Sequence, residues 1–510
     1  MTTVDPTLPA PASGAAVPGA RELDRSLVRG IAWTGGMRWA TQLLAWASTL
    51  VVARLLAPSD YGLVGMAMVY IGLVQLVNEF GIGVAIVQRR GLTEEQVARL
   101  GGLALLVGGG FVTVSIAASS LVARAFGEPA VRAIVVVSSL TFLTGALQVV
   151  PRALLARDLD FRRVAWADGV EALVTTAVTL TLAALGAGYW ALVLGPLAGR
   201  STSACLLNIW RAHRLAWPFP FGTIAGAVTF GWQVVVASVA WYLYNNADFA
   251  VVGRVLGAAA LGAYTLGWNV AGIPVERVSA LLGAVTPAVF SAVQHDQSAL
   301  QRYLRSLTQG LSLVTFPAAV GIALTADQFV LAVLGARWRP AILPLQLLAL
   351  SAALRSVSTL LPQVAVATGH ARRNMQLTIL VALILPGLFW AGTHWGTGGV
   401  AAAWLVGHPT LAMPLYLFHA LAITRLAFRD YLRSLAPAAG ATLVMAAGVL
   451  GLRWMLPASW PGPVQLGCEI ALGVGIYGAV LYGTSGTRVR ALWAMFRDLR
   501  SQSGEAPSRL

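Results

Sequence analysis

Three arginines lie where a charged side chain is costly. Arg200, Arg277 and Arg355 each sit about ten or more residues from both ends of a long apolar segment, which at a rise of about 1.5 Å per residue is too deep to reach water easily by snorkelling. A charge at the centre of a bilayer costs about 2.5–3.5 kcal/mol on insertion scales, so such residues face a cavity or a partner. Arginine suits one task there: its planar guanidinium forks multi-oxygen anions through two parallel hydrogen bonds. The alternative is that these arginines pair with acids or helix C-terminal carbonyls and hold helices together. Arg38, some way into the first apolar segment, is shallower and fits either snorkelling or a cavity wall. Glu276 precedes Arg277 but points about 100° away from it around the helix.

Acids within apolar segments are few. Glu79 and Asp168 fall near segment ends, Asp248 near the opposite end of its own, and Glu276 alone falls clearly in the middle. Asp248, with Asn245 and Asn246, is expected to anchor the chain reversal at Arg54 or Arg254. Glu79, Asp248 and Glu276 are the candidate coupling or structural acids. Trp33, Trp190, Trp210 and Trp395 fall near segment ends, where tryptophan anchors at membrane interfaces; Trp46 and Trp241 are deeper and are candidates for stacking on sugar rings.

Other chemistries are excluded. The chain has no lysine, its 35 basic residues all being arginine, so it has neither a Walker A lysine nor a Schiff-base lysine. Six histidines show no metal-ligand spacing, and Cys205 and Cys468 read as small core residues rather than a disulfide. No metal and no cofactor is expected. GVGIYG (Gly473–Gly478) matches a dinucleotide fingerprint, but it sits inside an apolar segment with no preceding strand and reads as helix packing.

These residues are carried on a polytopic membrane protein. Mean hydropathy is +0.73, with 57% hydrophobic and 11% charged residues, against roughly a quarter charged in soluble domains. Apolar windows of about 20 residues, enough to cross a bilayer, predict an all-α fold of about fourteen transmembrane helices. The first two spans meet at VVARLLAPSDYGLVGM (Val51–Met66), and that stretch returns as VVGRVLGAAALGAYTL (Val251–Leu266). Val51/Val251, Val52/Val252, Arg54/Arg254, Leu56/Leu256 and Gly62/Gly262 match without a gap, and LVARAFG (Leu121–Gly127) answers FVLAVLG (Phe329–Gly335). Such a long period means a duplicated domain, not a solenoid. Six spans per copy put both copies in the same orientation, related by an axis along the bilayer normal.

The predicted organisation is a disordered tail over 1–20, a six-helix bundle over 21–215, its duplicate over 216–425, an accessory helix pair over 426–484 and a basic tail over 485–510. Alternate loops concentrate arginine, including Arg89, Arg90, Arg157, Arg162, Arg163, Arg372, Arg373 and Arg429. By the positive-inside rule, both termini are cytoplasmic. The net charge of +15 is thereby explained by orientation and anionic lipid heads rather than by nucleic acid.

The run ARLLAPSDYGLVGMAMVYIGLVQLVNEFGIGVAIVQRRGLTEEQ (Ala53–Gln96) resembles the N-terminal signature of the polysaccharide transporter family, the oligosaccharide and O-antigen flippases of the multidrug/oligosaccharidyl-lipid/polysaccharide exporter superfamily. Val251–Ser279 and Leu334–Leu350 are similar to that family too, and the resemblance spans about Leu27 to Thr424. It implies two six-helix bundles around a central cavity, with two helices appended. It also implies a monomeric, non-enzymatic carrier in the bacterial cytoplasmic membrane. The implied cargo is a polyprenyl-diphosphate-linked oligosaccharide for O-antigen, capsule or exopolysaccharide. Membrane lipids and other polysaccharide-assembly proteins are the expected partners, and no nucleic acid. Related flippases often place a cation in the first helix, which tips Arg38 toward the cavity beside Arg200, Arg277 and Arg355. The competing readings are a cation-coupled drug exporter of the same superfamily, which would want a mid-membrane acid, and a membrane glycan polymerase or ligase, which would want a sizeable outer loop.

Overall fold

The computed structural model describes Leu44 and residues 47–78, 82–88, 91–217, 225–457 and 460–502. Side chains of some helical residues, Trp241 and Arg277 among them, fall outside that description, as do Arg38, Trp46 and Glu79 entirely. The described chain is helical throughout, without a strand. After α1 (47–55) come α2 (Pro58–Asn78), α3 (Ile82–Gln88), α4 (Glu94–Phe126), α5 (Ala130–Arg157), α6 (Phe161–Ala184) and α7 (Trp190–Trp210). The second half comprises α8 (Ala225–Ala292), α9 (Gln297–Phe329), α10 (Ile342–Ser358), α11 (Leu360–Ala367), α12 (Ala371–Gly392), α13 (Gly396–Gly407) and α14 (Met413–Thr424). α15 (Phe428–Met455) and α16 (Gly462–Gln502) pack on α9.

Ten segments of the described chain are long and apolar enough to cross a bilayer. Their outward faces carry Leu121, Leu383 and Val474, each at least 70% exposed, as a protein solvated by lipid requires.

α8 is a hairpin rather than one rod. Gly257 has φ 84° and ψ 178°, a conformation that a side chain would strain. The reversal brings Tyr264 Oη within 2.7 Å of Asp248 Oδ2, whereas sixteen residues of straight helix would separate them by about 24 Å. The helix therefore runs on past Asp248 to Leu256, and the expectation that this acid ends its span is corrected. In the first half the matching corner is set by Asp60, whose Oδ2 accepts from Ala57 N at 2.9 Å and Oδ1 from Tyr189 N at 3.1 Å.

The two copies of the corner pack on each other. A Cβ on Gly62 would lie 1.7 Å from the Ala258 carbonyl oxygen, and one on Gly262 would lie 1.7 Å from that of Pro58. At the sequence offset of the repeat, Ala258 is the counterpart of Pro58 and Gly262 that of Gly62. The contact is thus reciprocal, as a two-fold relation between parallel copies demands.

Hydrogen bonds extend the contact across the halves. Arg54 Nη2 donates to Ala332 O at 3.0 Å, Trp338 Nε1 to Ala53 O at 2.7 Å and Arg337 Nη1 to the Leu55 and Leu56 carbonyls at 3.4 Å. On the other side, Arg254 Nη1 comes within 3.9 Å of where a Gly127 side chain would begin. The corner arginines therefore answer to the opposite half's α4–α5 and α9–α10 reversals. The expected partnership between Asp248 and a corner arginine does not form, because Asp248 faces away into the second half. Cys205 and Cys468 are free, with Cys205 exposed on α7 rather than in the core.

Because each glycine meets backbone, which cannot swing aside, Gly62→Ala or Gly262→Ala should cost about 1–3 kcal/mol of overpacking. Gly310→Ala inside α9, where nothing lies within 4 Å, should cost nothing. Melting temperatures of the three purified variants in detergent test this; equal values for all three would refute the corner contact.

Candidate functional site

A cavity of about 410 Å³ lies where the halves meet, between α2 and the two arms of α8. α2 supplies Tyr61, Val64, Gly65, Met68 and Val69, the i, i+3, i+4, i+7, i+8 stripe of one helix face. The first arm of α8 adds Tyr242, Asn246 and Phe249, and the second adds Thr265, Trp268 and Asn269. Tyr242 also fastens one rim, its hydroxyl 3.1 Å from the Met68 and Val69 carbonyls. Among described residues this wall mixes amides, hydroxyls and aromatic rings with the aliphatic Val64, Met68, Val69 and Leu192 and holds no arginine; Arg38 and the Arg277 side chain lie outside the described residues.

The cation stands one layer back. Arg355 on α10 places its guanidinium carbon 4.1 Å from the ring centroid of the wall residue Trp268 and 5.1 Å from that of Trp404. Desolvated cation–π contacts of this kind contribute about 2 kcal/mol or more. The turn that carries Arg355 is fixed by a buried Ser356–Thr315 hydroxyl pair at 2.8 Å. Its Nε has no hydrogen-bond partner in the described structure, so the rings hold the charge in place without satisfying all its donors.

Trp404 joins that cation to a carboxylate. Its Nε1 donates to Asp248 Oδ2 at 2.8 Å, and Tyr264 Oη donates to the same oxygen at 2.7 Å. Asp248 is fully buried, and its Oδ1 has no partner among the described residues. Phe389 packs on Trp404 at 5.1 Å between ring centroids, and Phe249 on Trp268 at 5.5 Å. Acid and guanidinium form no ion pair within 4.0 Å; one indole touches both. An indole can do this because its N–H is a donor and its face attracts cations.

Of the residues singled out from sequence, the structure brings Arg355 and Asp248 together. Arg200 is half-buried on α7, with no side-chain partner among described residues; only its carbonyl is engaged, by Gln148 Nε2 at 2.7 Å. Glu276 is exposed, lying over Gly272 one turn back along α8. Asp168 pairs with Arg152 at 2.7 Å. Trp268, Trp404, Tyr264 and Asn269 were missed, and Asn246, expected at the chain reversal, lies in the cavity wall. Trp268 and Trp404 carried the signal already applied to Trp46 and Trp241, a tryptophan well inside an apolar segment.

A parallel pair of helical halves with a cavity at their junction is the architecture of a membrane carrier. A family model described as "Polysaccharide biosynthesis protein" matches residues 51–343, more than half of the chain, and the chain belongs to that family. It is 25% identical over 400 residues to the lipopolysaccharide biosynthesis protein WzxC of Escherichia coli (strain K12), covering 76% of this chain and 79% of that one. It is 26% identical over 349 residues to the succinoglycan biosynthesis transport protein ExoT of Rhizobium meliloti (strain 1021), covering 66% and 69%. Among solved structures, lipid II flippase MurJ in an inward closed conformation superposes with a TM-score of 0.69 at 13% identity, over 91% of this chain and 99% of that one. An inward-facing multidrug resistance MATE transporter superposes with a TM-score of 0.62 at 16% identity, over 76% and 95%. Both share its fold.

Trp404→Phe keeps the ring on Arg355 and removes one donor to a buried carboxylate. It should cost about 1.5–3 kcal/mol, the range for hydrogen bonds to charged groups. In an Asp248→Asn background the same change should cost clearly less. Additive losses in a melting-temperature cycle would refute the bridge.

Proposed function

We propose that this protein is a flippase that moves a polyprenyl-diphosphate-linked oligosaccharide across the bacterial cytoplasmic membrane by alternating access. The observation that carries this reading is the cavity at the junction of two duplicated halves, walled by groups suited to sugars and backed by the Arg355 guanidinium. Tyrosine, asparagine and threonine exchange hydrogen bonds with hydroxyls, Trp268 offers a ring face, and the cation draws a diphosphate toward the wall. The names of WzxC, ExoT and MurJ, all tied to glycan assembly or lipid-linked cargo, support the same reading.

With both termini cytoplasmic, the Gly62–Ala258 and Gly262–Pro58 contacts lie at the outer end of the carrier, and their separation opens it outward. The bundles over 21–215 and 216–425 are the moving bodies, with 426–484 as an accessory pair. At about 410 Å³ the cavity is of ordinary ligand-pocket size. It takes a diphosphate and its first sugars, and a longer glycan requires the halves to part further. Arg200, in the same half as α2, would meet the head group once they do. In this reading the protein works as a monomer and catalyses no covalent step.

A second reading, a cation-coupled drug exporter, gains from Asp248. The sequence placed that acid near a segment end, whereas the structure buries it well inside the membrane-spanning region, where such exporters need one.

Deletion of the gene followed by lipid extraction separates the two. Under the flippase reading, a polyprenyl-linked oligosaccharide accumulates on the inner leaflet and the surface polymer is lost, while drug sensitivity is unchanged. Complementation with Arg355→Ala should restore less than about a tenth of export, a loss of at least about 1.4 kcal/mol in transport-competent binding, and Arg200→Ala with Arg355→Ala should restore none. Full export by the double variant would refute the role given to these cations.

A further inference from the structure

A second set of charges enters the membrane-spanning region where the appended pair meets α9, remote from the cavity. Arg453 on α15 donates through Nη2 to Asp327 Oδ2 and through Nη1 to Leu324 O at 3.4 Å, and its Nε lies 3.7 Å from Glu469 Oε1. Gln328 Nε2 donates to the same Glu469 oxygen at 2.8 Å. The Asp327 and Arg453 side chains are 38% and 31% exposed, while that of Glu469 on α16 is 1% exposed.

Two features of this cluster do not balance. Two carboxyls share a single guanidinium, so one negative charge is left over if both are ionised, and an uncompensated charge inside a bilayer is costly. In addition, Asp327 Oδ1, Gln328 Oε1 and Glu469 Oε2 are all buried without a partner. All three are acceptors, and no donor among the described residues reaches them. The elements packed on Glu469 bring nothing else to the count: α15 contributes Arg453, α9 contributes Asp327 and Gln328, and the Val330–Leu334 turn that follows α9 has no titratable side chain. On α16 itself, Cys468 is a free thiol and Tyr477 is engaged with Leu313 O at 2.6 Å.

One proton removes the first imbalance and reduces the second. We propose that Glu469 is a proton-binding site that fastens the appended helices to the second half. Its carboxylate takes a proton from water onto Oε2, the surplus charge disappears, and the former acceptor becomes a donor available to one of the two remaining orphaned oxygens. Asp327 stays ionised against Arg453. Three open oxygens beside a fixed guanidinium make a poor cage for a metal cation, which favours the proton. Loss of the proton loosens α16 from α9 and α15. The site stands apart from whatever the central cavity carries.

The test uses the full-length protein in detergent, with melting temperature followed from about pH 5 to about pH 9. If the folded arrangement binds the Glu469 proton more tightly than the unfolded chain does, stability falls as pH rises through that titration. Wild type should lose several degrees toward alkaline pH. Glu469→Gln, which keeps the shape and the hydrogen, should lack this loss and match or exceed wild type at the alkaline end. Asp327→Asn frees the guanidinium to neutralise Glu469 and should flatten the wild-type slope, which keeps the idea testable if the first variant folds poorly. An infrared band of a protonated carboxyl, present in wild type and missing from Glu469→Gln, is the direct signature. The proposal is overturned if Glu469→Gln is less stable than wild type at every neutral and alkaline pH, as an ionised Glu469 paired with Arg453 would require. It is equally overturned if sodium chloride, compared with choline chloride at equal ionic strength, raises the melting temperature of wild type but not of Glu469→Gln.

Discussion

Everything about this molecule's central cavity follows from how closely two backbones come together. At Gly62 and Gly262 the missing side chains let α2 and the second arm of α8 meet at carbonyl contact, an approach that any Cβ would prevent. That contact fixes the distance between the halves at one end, and the stripes of Tyr61, Met68, Trp268 and Asn269 can then enclose a space of useful size. Hydrophobic attraction cannot set this distance, since lipid chains are as apolar as the helices. Close packing of small residues can, and the reciprocal pairing of Gly62 with Ala258 and Gly262 with Pro58 does so with the symmetry of the duplication.

Charge inside the membrane is handled by aromatic rings more than by ion pairs. Asp248 is fully buried and Arg355 half-buried within the bundle, yet they do not touch. Trp404 and Tyr264 satisfy the carboxylate, and Trp404 and Trp268 face the guanidinium. A direct salt bridge would lock both charges into one geometry. An indole intermediary leaves Arg355 Nε without a bond and Asp248 Oδ1 without a donor. The arrangement is held firmly enough to fold, with polar capacity left over for a ligand or a shift of the helices. At the offset of the repeat, Ser48 stands in the first half where Asp248 stands in the second. Duplicated scaffolds thus carry unequal chemistry.

The fold was legible in the sequence because its signals are local. Apolar length marks spans, and Gly62/Gly262 with Arg54/Arg254 mark the duplication. The partners of those residues were not legible. Arg54 could not be assigned to Ala332 O, 278 positions away, and Asp248 was misassigned because Gly257 looked like one small residue among several rather than the turn. The site was half legible. Arg355 and Asp248 stood out because charge is rare in an apolar segment, but their ring neighbours did not, since nothing in the sequence tells which interior tryptophan faces a charge. Glu469 was overlooked because it lies within a few residues of a span end, where an acid attracts no notice until its burial is known.

The bonds that mate the two halves share one property with a consequence for their history. Arg54, Arg337 and Trp338 all donate to main-chain oxygens, those of Ala332, Leu55, Leu56 and Ala53, and every residue type presents the same carbonyl. The receiving positions are therefore free to mutate without unmating the halves. After the ancestral gene doubled, each copy was at liberty to drift so long as its own donors and its one contact glycine survived, which accounts for a repeat that endures at its corners and fades almost everywhere between them.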